Sequence, residues 1–439
     1  MKEIAQNLKK VMERSGVFEA EEGFYYSGYV NNLFVCESFF DAIALYHMDE
    51  TELSVTNLKI LLGTQWPNGH IPRHWCAMEP VKTVGEGVKQ GFKGETQAMP
   101  GVHWGSMQEV EEHAQPYLAQ MALMLTRMRG GNIEWLRGGI YARLKRYLDV
   151  WLESWDKDRN GLCEWSSAPH AMADNQFDRC GVWRGRFCEG ADLNSLLCLE
   201  FQAMEIIANA LGLEGDAGVY GALAARTLGL IRTVLWDDRD GFFYDRDVRT
   251  GLPIKVKAVQ AFYTLWAGTA TQDQARRLVK EHLFNPEEFW TNWPIPSYAI
   301  NEPGFTRQHV PPPFIDVATA LPLGHCNWRG GVWPHANYMV VHGLRRYGFE
   351  KEAGELAEKT YALGAADPDV YEWYDPISGD TCGSCPIAAG PQLLMRYVKL
   401  EGEKGFAPFA IGRPDEAFLR VDPENTLGTG GGLSREYVR

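Results

Sequence analysis

The chain lacks several features that would assign it to other protein classes. It has no apolar run near the roughly 20 residues that a membrane helix needs, and residues 1–12 form a polar amphipathic pattern rather than a secretion signal. Its nine cysteines are an odd number without regular spacing, which is typical of a reduced intracellular protein. We therefore expect a soluble, cytoplasmic protein that does not bind a membrane.

Basic residues and metal-binding motifs are also in short supply. The 43 Lys and Arg residues stand against 57 Asp and Glu residues, and the net charge is −14. This balance argues against a nucleic-acid partner, because little would neutralise the phosphates. Glycine-rich nucleotide motifs and HExxH are missing, and Cys382-Gly-Ser-Cys385 is a single CxxC pair without further ligands. We predict neither a metal nor an organic cofactor.

An acidic turn at 156–161 has the pattern D-x-D-x-N-G, which also opens an EF-hand calcium loop. Such a loop needs a bidentate Glu at its twelfth position, where this chain has Ser167. We therefore predict an Asx-type turn, in which Asp and Asn side chains bond the backbone, and no metal site.

Helical periodicity dominates the chain, whereas strand-like alternation is scarce and short. Long loops rich in Gly, Pro and Trp alternate with short turns, which predicts an all-α toroid of paired helices with a pocket built by the long loops at one face. The predicted helices are 51–62, 114–129, 135–155, 191–212, 216–235, 255–267, 271–283, 334–347, 350–363 and 386–400, and the long loops are 63–113, 160–190, 284–333 and 364–386.

The chain shows no internal linker before about residue 400. We therefore predict a single catalytic domain over residues 1–400. The segment 401–439 has scattered Gly, Pro and charged residues without periodicity, which predicts an irregular tail. The sequence leaves open whether the chain forms a homo-oligomer.

One candidate catalytic acid is Asp174, in the motif Ala171-Met-Ala-Asp174-Asn-Gln176. Trp165 and Trp183 flank this loop, and a carboxyl among indole rings is desolvated, so that its pKa rises towards that of a general acid. Asp178 and Glu189 lie nearby and are not distinguished from Asp174 by spacing alone. An Asp in a loop can also be a helix cap or a turn residue, which is the expected role of Asp192 at the start of a strong helix.

The second candidate acid is Glu372, between Tyr371 and Trp373 and before a turn that ends at Gly379. Two carboxyl groups on separate loops, each beside aromatic rings, are what a glycosidase needs. One protonates the leaving oxygen, the other activates water, and the rings stack on sugar faces. The alternative for Glu372 is an exposed loop acid.

The residues are also compatible with two other functions. A sugar isomerase or epimerase on a similar helical toroid would use a histidine, and His325 and His335 flank the loop from Trp328 to Trp333. A non-catalytic carbohydrate-binding toroid is the third hypothesis. The interpretation that we favour is a glycoside hydrolase that acts on a small carbohydrate.

Seven segments, in this order and at this spacing, make the chain resemble a known family. It resembles the (α/α)6-barrel glycosidases that include trehalase and processing α-glucosidase, and is most similar to family sixty-three and its bacterial mannosylglycerate and glucosylglycerate hydrolase-like members. The likeness covers roughly residues 20–400. The segments are 33–42, 65–72, 114–116, 171–176, 189–194, 328–338 and 372–379.

The resemblance implies an inverting α-glycosidase in which Asp174 is the general acid and Glu372 the general base. An early Trp-Asp pair of the family, which contacts the sugar, falls on Cys36-Glu37. A Phe-x-Trp that usually follows the base falls on Cys385-Pro386-Ile387. The resemblance implies an α-linked glucoside or mannoside as the substrate, with glycerate conjugates among the candidates.

A set of side chains on these motifs is expected to bind the sugar. Apolar rings with a few polar groups are the usual composition of such a pocket. The members are Glu37, Asp41, Gln65, Trp66, Gln115, Trp183, Trp328, Arg329, Trp333, Asn337 and Tyr374.

Overall fold

The computed structural model describes residues 16–19, 24–27, 32–76, 112–181, 188–308, 326–366 and 371–382. Most of these residues lie in helices. The α-helices are α1 (Val35–His47), α2 (Thr51–Gly63), α3 (Leu118–Met128), α4 (Ile140–Ser154), α5 (Phe177–Cys180), α6 (Ala191–Ala210), α7 (Glu214–Val234), α8 (Tyr263–Ala267), α9 (Gln272–Arg277), α10 (Asn327–Gly330), α11 (Pro334–Arg346) and α12 (Glu350–Ala366). Short 3₁₀ helices span Glu134–Leu136 and Val259–Phe262, and a π-helix spans Leu278–Leu283.

The long helices form two layers. The helices α1, α3, α6, α8 and α11 each pack against the next in this order and form an inner layer. They are buried on nearly every face. In α3, for example, only Met128 at the carboxyl end is partly exposed. The helices α2, α7 and α12 pack outside α1, α6 and α11, respectively.

The outer helices bury only a stripe. In α7 the buried residues are Ala217, Tyr220, Ala224, Thr227 and Ile231, which are three or four positions apart and therefore lie on one helix face. The opposite face of α7 is in water. This difference between the layers is the arrangement predicted for a toroid of helical hairpins.

Buried polar groups fix the ends of the inner helices. Both carboxylate oxygens of Glu200 in α6 accept backbone N–H groups at the start of α3, from Ala119 at 2.9 Å and Gln120 at 2.8 Å. These N–H groups have no partner within their own helix. The contact therefore caps α3 and sets its position against α6.

Strands in the described residues are short and lie in the loops between helices. All pairs are antiparallel. They are β1 (Gly16–Glu19) with β2 (Phe24–Ser27), β3 (Asn32–Phe34) with β4 (His74–Cys76), β6 (Trp236–Asp237) with β7 (Phe242–Phe243), β10 (Trp373–Tyr374) with β11 (Thr381–Cys382), and the sheet of β5 (Cys188–Glu189), β8 (Asp245–Asp247) and β9 (Pro253–Ile254) in the order β5-β8-β9.

Most predicted helices are confirmed, with ends that differ by a few residues. The segment 255–267 becomes a 3₁₀ helix and α8, and 271–283 becomes α9 and the π-helix. The predicted helix 386–400, the tail 401–439 and residues 1–12 lie outside the described residues, so the domain assignment stays a prediction. Over the described ranges, no helix has the length and the hydropathy that would let it cross a bilayer.

The turn at 156–161 is the Asx-type turn that the sequence predicts. The Asp158 carboxylate accepts the backbone N–H of Asn160 at 3.2 Å, and the Asn160 side chain accepts that of Leu162 at 2.8 Å. Asp156 accepts the N–H of Gly161 at 3.0 Å, and this glycine has a φ of 99°. The acidic side chains therefore close the turn through the backbone.

Candidate active site

Asp174 lies in the loop between α4 and α5. This loop is folded back on itself by a backbone hydrogen bond from Ala173 to the carbonyl oxygen of Ala168, at 3.0 Å. The Asp174 carboxyl is partly buried and accepts a hydrogen bond from the side chain of Asn327. Burial raises the pKa of Asp174, and the Asn327 bond and the charge of Arg73 oppose that rise. A raised pKa is the property expected of a general acid.

Glu37 belongs to the same site. It lies in the first turn of α1, and burial raises its pKa to about 7. The charge of Arg73 lowers this pKa, and the charge of Asp174 raises it further. The two carboxyl groups and the guanidinium are therefore close enough to affect one another.

Arg73 and Glu112 are parts of the site that sequence reasoning missed. A nitrogen of Arg73 lies 3.4 Å from a carboxylate oxygen of Glu112, and both side chains are almost fully buried. The same nitrogen donates to the carbonyl oxygen of Pro169 at 2.7 Å. Arg73 directly follows the motif 65–72, so a cation at the end of that motif was the available signal.

The structure separates Asp174 from its rivals. Glu189 is fully buried and bound by Arg246, whose nitrogen lies 2.7 and 2.9 Å from its two oxygens. Asp178 has a side chain that is 40% exposed and forms an ion pair with Arg329 at 3.1 Å. Each rival therefore has an arginine of its own in direct contact.

Asp192 also has a structural role, as predicted. Its carboxylate accepts the indole N–H of Trp165 at 2.9 Å and the backbone N–H of Leu193 at 2.7 Å. Arg179 forms an ion pair with it at 2.8 Å. These contacts hold the start of α6. The indole N–H of Trp165 is therefore bound to Asp192.

Glu372 directly precedes the hairpin β10–β11 and is partly buried. The hairpin is attached to the segment 326–333, because Val332 and Tyr374 pair through both backbone hydrogen bonds, at 2.8 and 3.0 Å. The indole of Trp373 stacks on that of Trp333, with ring centroids 4.8 Å apart. The loop of Glu372 is therefore fixed to one side of this segment.

The loop of Asp174 contacts the same segment. The backbone N–H of Trp328 donates to the side-chain oxygen of Asn175 at 3.1 Å, and the side chain of Gln176 donates to the Trp328 carbonyl oxygen at 2.7 Å. The segment 326–333 thus contacts the loops of both predicted acids. The indoles of Trp328 and Trp333 stack with ring centroids 4.2 Å apart, and both are almost fully buried. They therefore stabilise the segment that carries the two loops.

Several predicted sugar-binding groups are held by protein contacts instead. The amide of Asn337 donates to the Pro294 carbonyl oxygen and to the Thr360 hydroxyl, both at 2.8 Å, and accepts the N–H of Ile295 at 3.3 Å. Because this buried amide is saturated, we replace its predicted role with a structural one. Arg329 is likewise held by Asp178.

Two further predictions are corrected by burial and by hydrogen bonding. Tyr374 is only 1% exposed and packs in a small core with Val332 and Leu363. The amide nitrogen of Gln65 donates to the carbonyl oxygens of Gly69 and Arg143, at 3.1 and 2.9 Å, so it tethers its loop to α4.

The other predicted pocket residues differ in how far they are buried. Asp41 is buried within α1, and the Gln115 amide, also buried, donates to the His170 carbonyl oxygen at 3.3 Å. Trp66 is 41% exposed. Trp183 lies outside the described residues.

The histidine that kept an isomerase in consideration is a poor base. His335 is partly buried, and this burial lowers its pKa to about 3. The imidazole is therefore neutral at ordinary pH and has little affinity for a proton. His325 lies outside the described residues.

One cluster in the described part of the chain has the composition of a metal site. The thiols of Cys180 and Cys188 and a carboxylate oxygen of Asp245 lie within 4.8 Å of one another. Arg179 already forms an ion pair with Asp245 at 2.5 Å, and burial raises the pKa of Cys188. Burial opposes the thiolate that a metal needs, and the carboxylate of the cluster is already paired with Arg179.

Comparison with known proteins identifies the family. The model of the mannosylglycerate hydrolase MGH1-like glycoside hydrolase domain matches residues 30–386. This range includes both predicted acids and every inner helix described above. The chain belongs to this glycoside hydrolase family. The predicted resemblance is therefore confirmed, and so is the prediction of a glycoside hydrolase at the level of the family.

Named relatives agree with this assignment. The chain is 32% identical over 212 residues to a mannosylglycerate hydrolase of Rubrobacter radiotolerans, covering 48% of this chain and 43% of that protein. It is 33% identical over 153 residues to a mannosylglycerate hydrolase of Thermus thermophilus, covering 34% and 31%. The matched segments thus span less than half of the length of either relative.

Solved structures show the fold. A family sixty-three mannosylglycerate hydrolase from Thermus thermophilus in complex with glucose has a TM-score of 0.66 and 20% identity, covering 90% of this chain and all of that one. Neutral trehalase from Saccharomyces cerevisiae has a TM-score of 0.60 and 16% identity, covering 94% and 84%. Both are (α/α)6-barrel enzymes, which confirms the predicted fold class.

Proposed function

We propose that the chain is an inverting, exo-acting glycosidase that cleaves a small α-linked glucoside or mannoside. Asp174 donates its proton to the glycosidic oxygen as the bond from that oxygen to the anomeric carbon breaks. Glu372 accepts a proton from a water molecule, whose oxygen forms the new bond to the opposite face of the same carbon. The products are the free alcohol and a sugar of inverted anomeric configuration.

The raised pKa of Asp174 is the observation that carries this proposal. A general acid must hold a proton near neutral pH, and burial favours the protonated form of this carboxyl. Its rivals Asp178 and Glu189 each form an ion pair with an arginine in direct contact. Asp174 is therefore the acid of this loop best suited to the role.

The placement of Glu372 supports its role as the base. Its hairpin and the loop of Asp174 are both anchored on the segment 326–333. An inverting pair needs its two carboxyl groups about 6.5–9.5 Å apart, so that water fits between the base and the sugar. Loops anchored on a common segment can hold such a spacing constant during turnover.

Glycerate conjugates are the first substrates to test, because relatives of this chain are named mannosylglycerate hydrolases. We further propose that the chain acts in the cytoplasm, where a reducing medium keeps the described cysteines as thiols. Seven cysteines of the described residues are buried and form no disulfide with one another.

The test is a panel of α-glucosides, α-mannosides and their glycerate conjugates. Hydrolysis of at least one member is expected, with loss of that activity in Asp174→Asn and Glu372→Gln. Each substitution keeps the size of the side chain, so circular dichroism should match the parent protein. Activity retained in either variant would refute the assignment of that residue, and interconversion of free sugars without hydrolysis would favour an isomerase.

A further inference from the structure

Arg73 connects the elements that carry two of the acids. Its carbonyl oxygen accepts the backbone N–H of Val35, at 3.4 Å, two residues before Glu37. Its side chain reaches the other way and donates to the Pro169 carbonyl oxygen at 2.7 Å, in the loop that leads to Asp174. The guanidinium therefore lies between the first turn of α1 and this loop.

The carboxylate of Glu112 also contacts the Arg73 guanidinium. Glu112 forms an ion pair with Arg73 at 3.4 Å, and the exposed fractions of the two side chains are 1% and 5%. The hydroxyl of Ser167 donates to the other oxygen of Glu112 at 2.7 Å. Separating this buried pair would raise the free energy strongly, because each charge would be left uncompensated in the interior.

We propose that Arg73 is a positioning residue of the site, held by Glu112, and that the two together set how many protons Glu37 and Asp174 carry. This role rests on the proposed function, since it concerns the acid of that reaction. Arg73 contacts no bond that breaks or forms. It acts by fixing one positive charge between two carboxyl groups.

The titratable groups that face this charge include Glu37, Asp174, Glu112 and His170. Arg73 lowers the pKa of both Glu37 and Asp174 and opposes the rise due to burial. Glu112 acts in the opposite direction and raises the pKa of Asp174. His170 packs beside them, but burial lowers its pKa to about 4, so it is neutral through the working range.

The pair predicts opposite effects of two neutralising variants. Arg73→Met removes the positive charge, so the alkaline limb of kcat/KM, where the general acid loses its proton, should move up by about 1 pH unit. Glu112→Gln keeps an oxygen for Ser167 but removes the negative charge, so the same limb should move down. Arg73→Lys retains the charge and should keep the limb within a few tenths of a unit, with a higher KM.

Controls make the result specific. Arg276→Met removes an arginine that is 58% exposed on α9 and should leave the pH profile unchanged. A purely structural role for Arg73 would lower kcat in both neutralising variants without moving the limb. Limbs that stay in place, or move in the same direction in both variants, would overturn the proposal.

A readout independent of turnover separates this proposal from the proposed function. Infrared titration follows the band of protonated carboxyl groups, and the part that disappears in Asp174→Asn belongs to Asp174. Its midpoint should rise in Arg73→Met and fall in Glu112→Gln, whether or not any glycoside of the panel is cleaved. An unchanged midpoint in both would refute the role of Arg73, whereas shifted midpoints without hydrolysis would refute only the glycosidase.

Discussion

The indole of Trp373 stacks on the indole of Trp333, with ring centroids 4.8 Å apart and an angle of 28° between the planes. Trp373 directly follows Glu372, and Trp333 ends the segment whose other residues contact the loop of Asp174. The stack thus joins the two halves of the candidate site. Its loss should move the predicted base relative to the predicted acid.

Trp373→Ala tests this relationship. Removing an almost fully buried indole should cost about 3–5 kcal/mol of the free energy of unfolding, and kcat should fall at temperatures where the protein is still folded. Leu252→Ala is the control, because this apolar residue is 65% exposed and the loss of its side chain should cost less than about 1 kcal/mol. Urea denaturation and steady-state kinetics measure both effects, and equal losses in the two variants would contradict the account.

The choice of Asp174 over Asp178 is tested by one conservative substitution at each position. Asp174→Asn should lower kcat by at least about 100-fold, since it removes the proton donor. Asp178→Asn should keep most of the activity and lose about 1 kcal/mol of stability, because its partly exposed carboxyl pairs with Arg329 and accepts the Tyr298 hydroxyl. The reverse pattern of rates would show that the acid has been assigned to the wrong aspartate.

Arg179 is expected to be structural. It forms ion pairs with Asp192 at 2.8 Å and Asp245 at 2.5 Å, and all three side chains are almost fully buried. Arg179→Met leaves two buried carboxylates without their cation and should cost about 3–5 kcal/mol. In Arg249→Met, which removes a 63% exposed arginine, the loss should stay below about 1 kcal/mol. Thermal and urea unfolding would show this, and a small loss in Arg179→Met would be inconsistent with the buried network.

Glu37 predicts a pH dependence of stability. Its pKa is raised from 4.5 to about 7 in the folded protein, so folding favours the protonated form. The stability that this group contributes is complete below about pH 4.5 and is lost as the pH rises to about 7. Glu37→Gln lacks this loss, so between about pH 5 and about pH 8 the variant should gain about 2–3 kcal/mol relative to the parent protein. A stability difference that is the same at both pH values in urea unfolding would contradict the raised pKa.

Features with a local signal were predictable from the sequence. The outer helix α7 shows its buried stripe as apolar residues three and four positions apart, and the turn at 156–161 shows its Asx pattern directly. The inner helix α1 was not predicted as a helix. Because eleven of its thirteen residues are buried, it has no polar face and therefore no amphipathic period.

The candidate site depended on contacts between distant residues, which a single sequence does not show. Glu189 and Asp178 could not be set apart from Asp174 until Arg246 and Arg329, 57 and 151 positions away, were found against them. Asn337 was expected to bind a sugar because it lies in a motif. Its amide instead holds the turn at Pro294, and no local pattern indicates that contact.

The central claim is that Asp174 and Glu372 act on opposite faces of one sugar, and the anomer that is released first tests it most directly. Proton NMR during the first minutes of hydrolysis of an α-glycoside, before mutarotation, distinguishes the two anomers. The account predicts that the β-anomer appears first, because water attacks from the face opposite the leaving group. First appearance of the α-anomer would mean a covalent intermediate on one of the carboxyl groups and would contradict the proposed pair of acid and base.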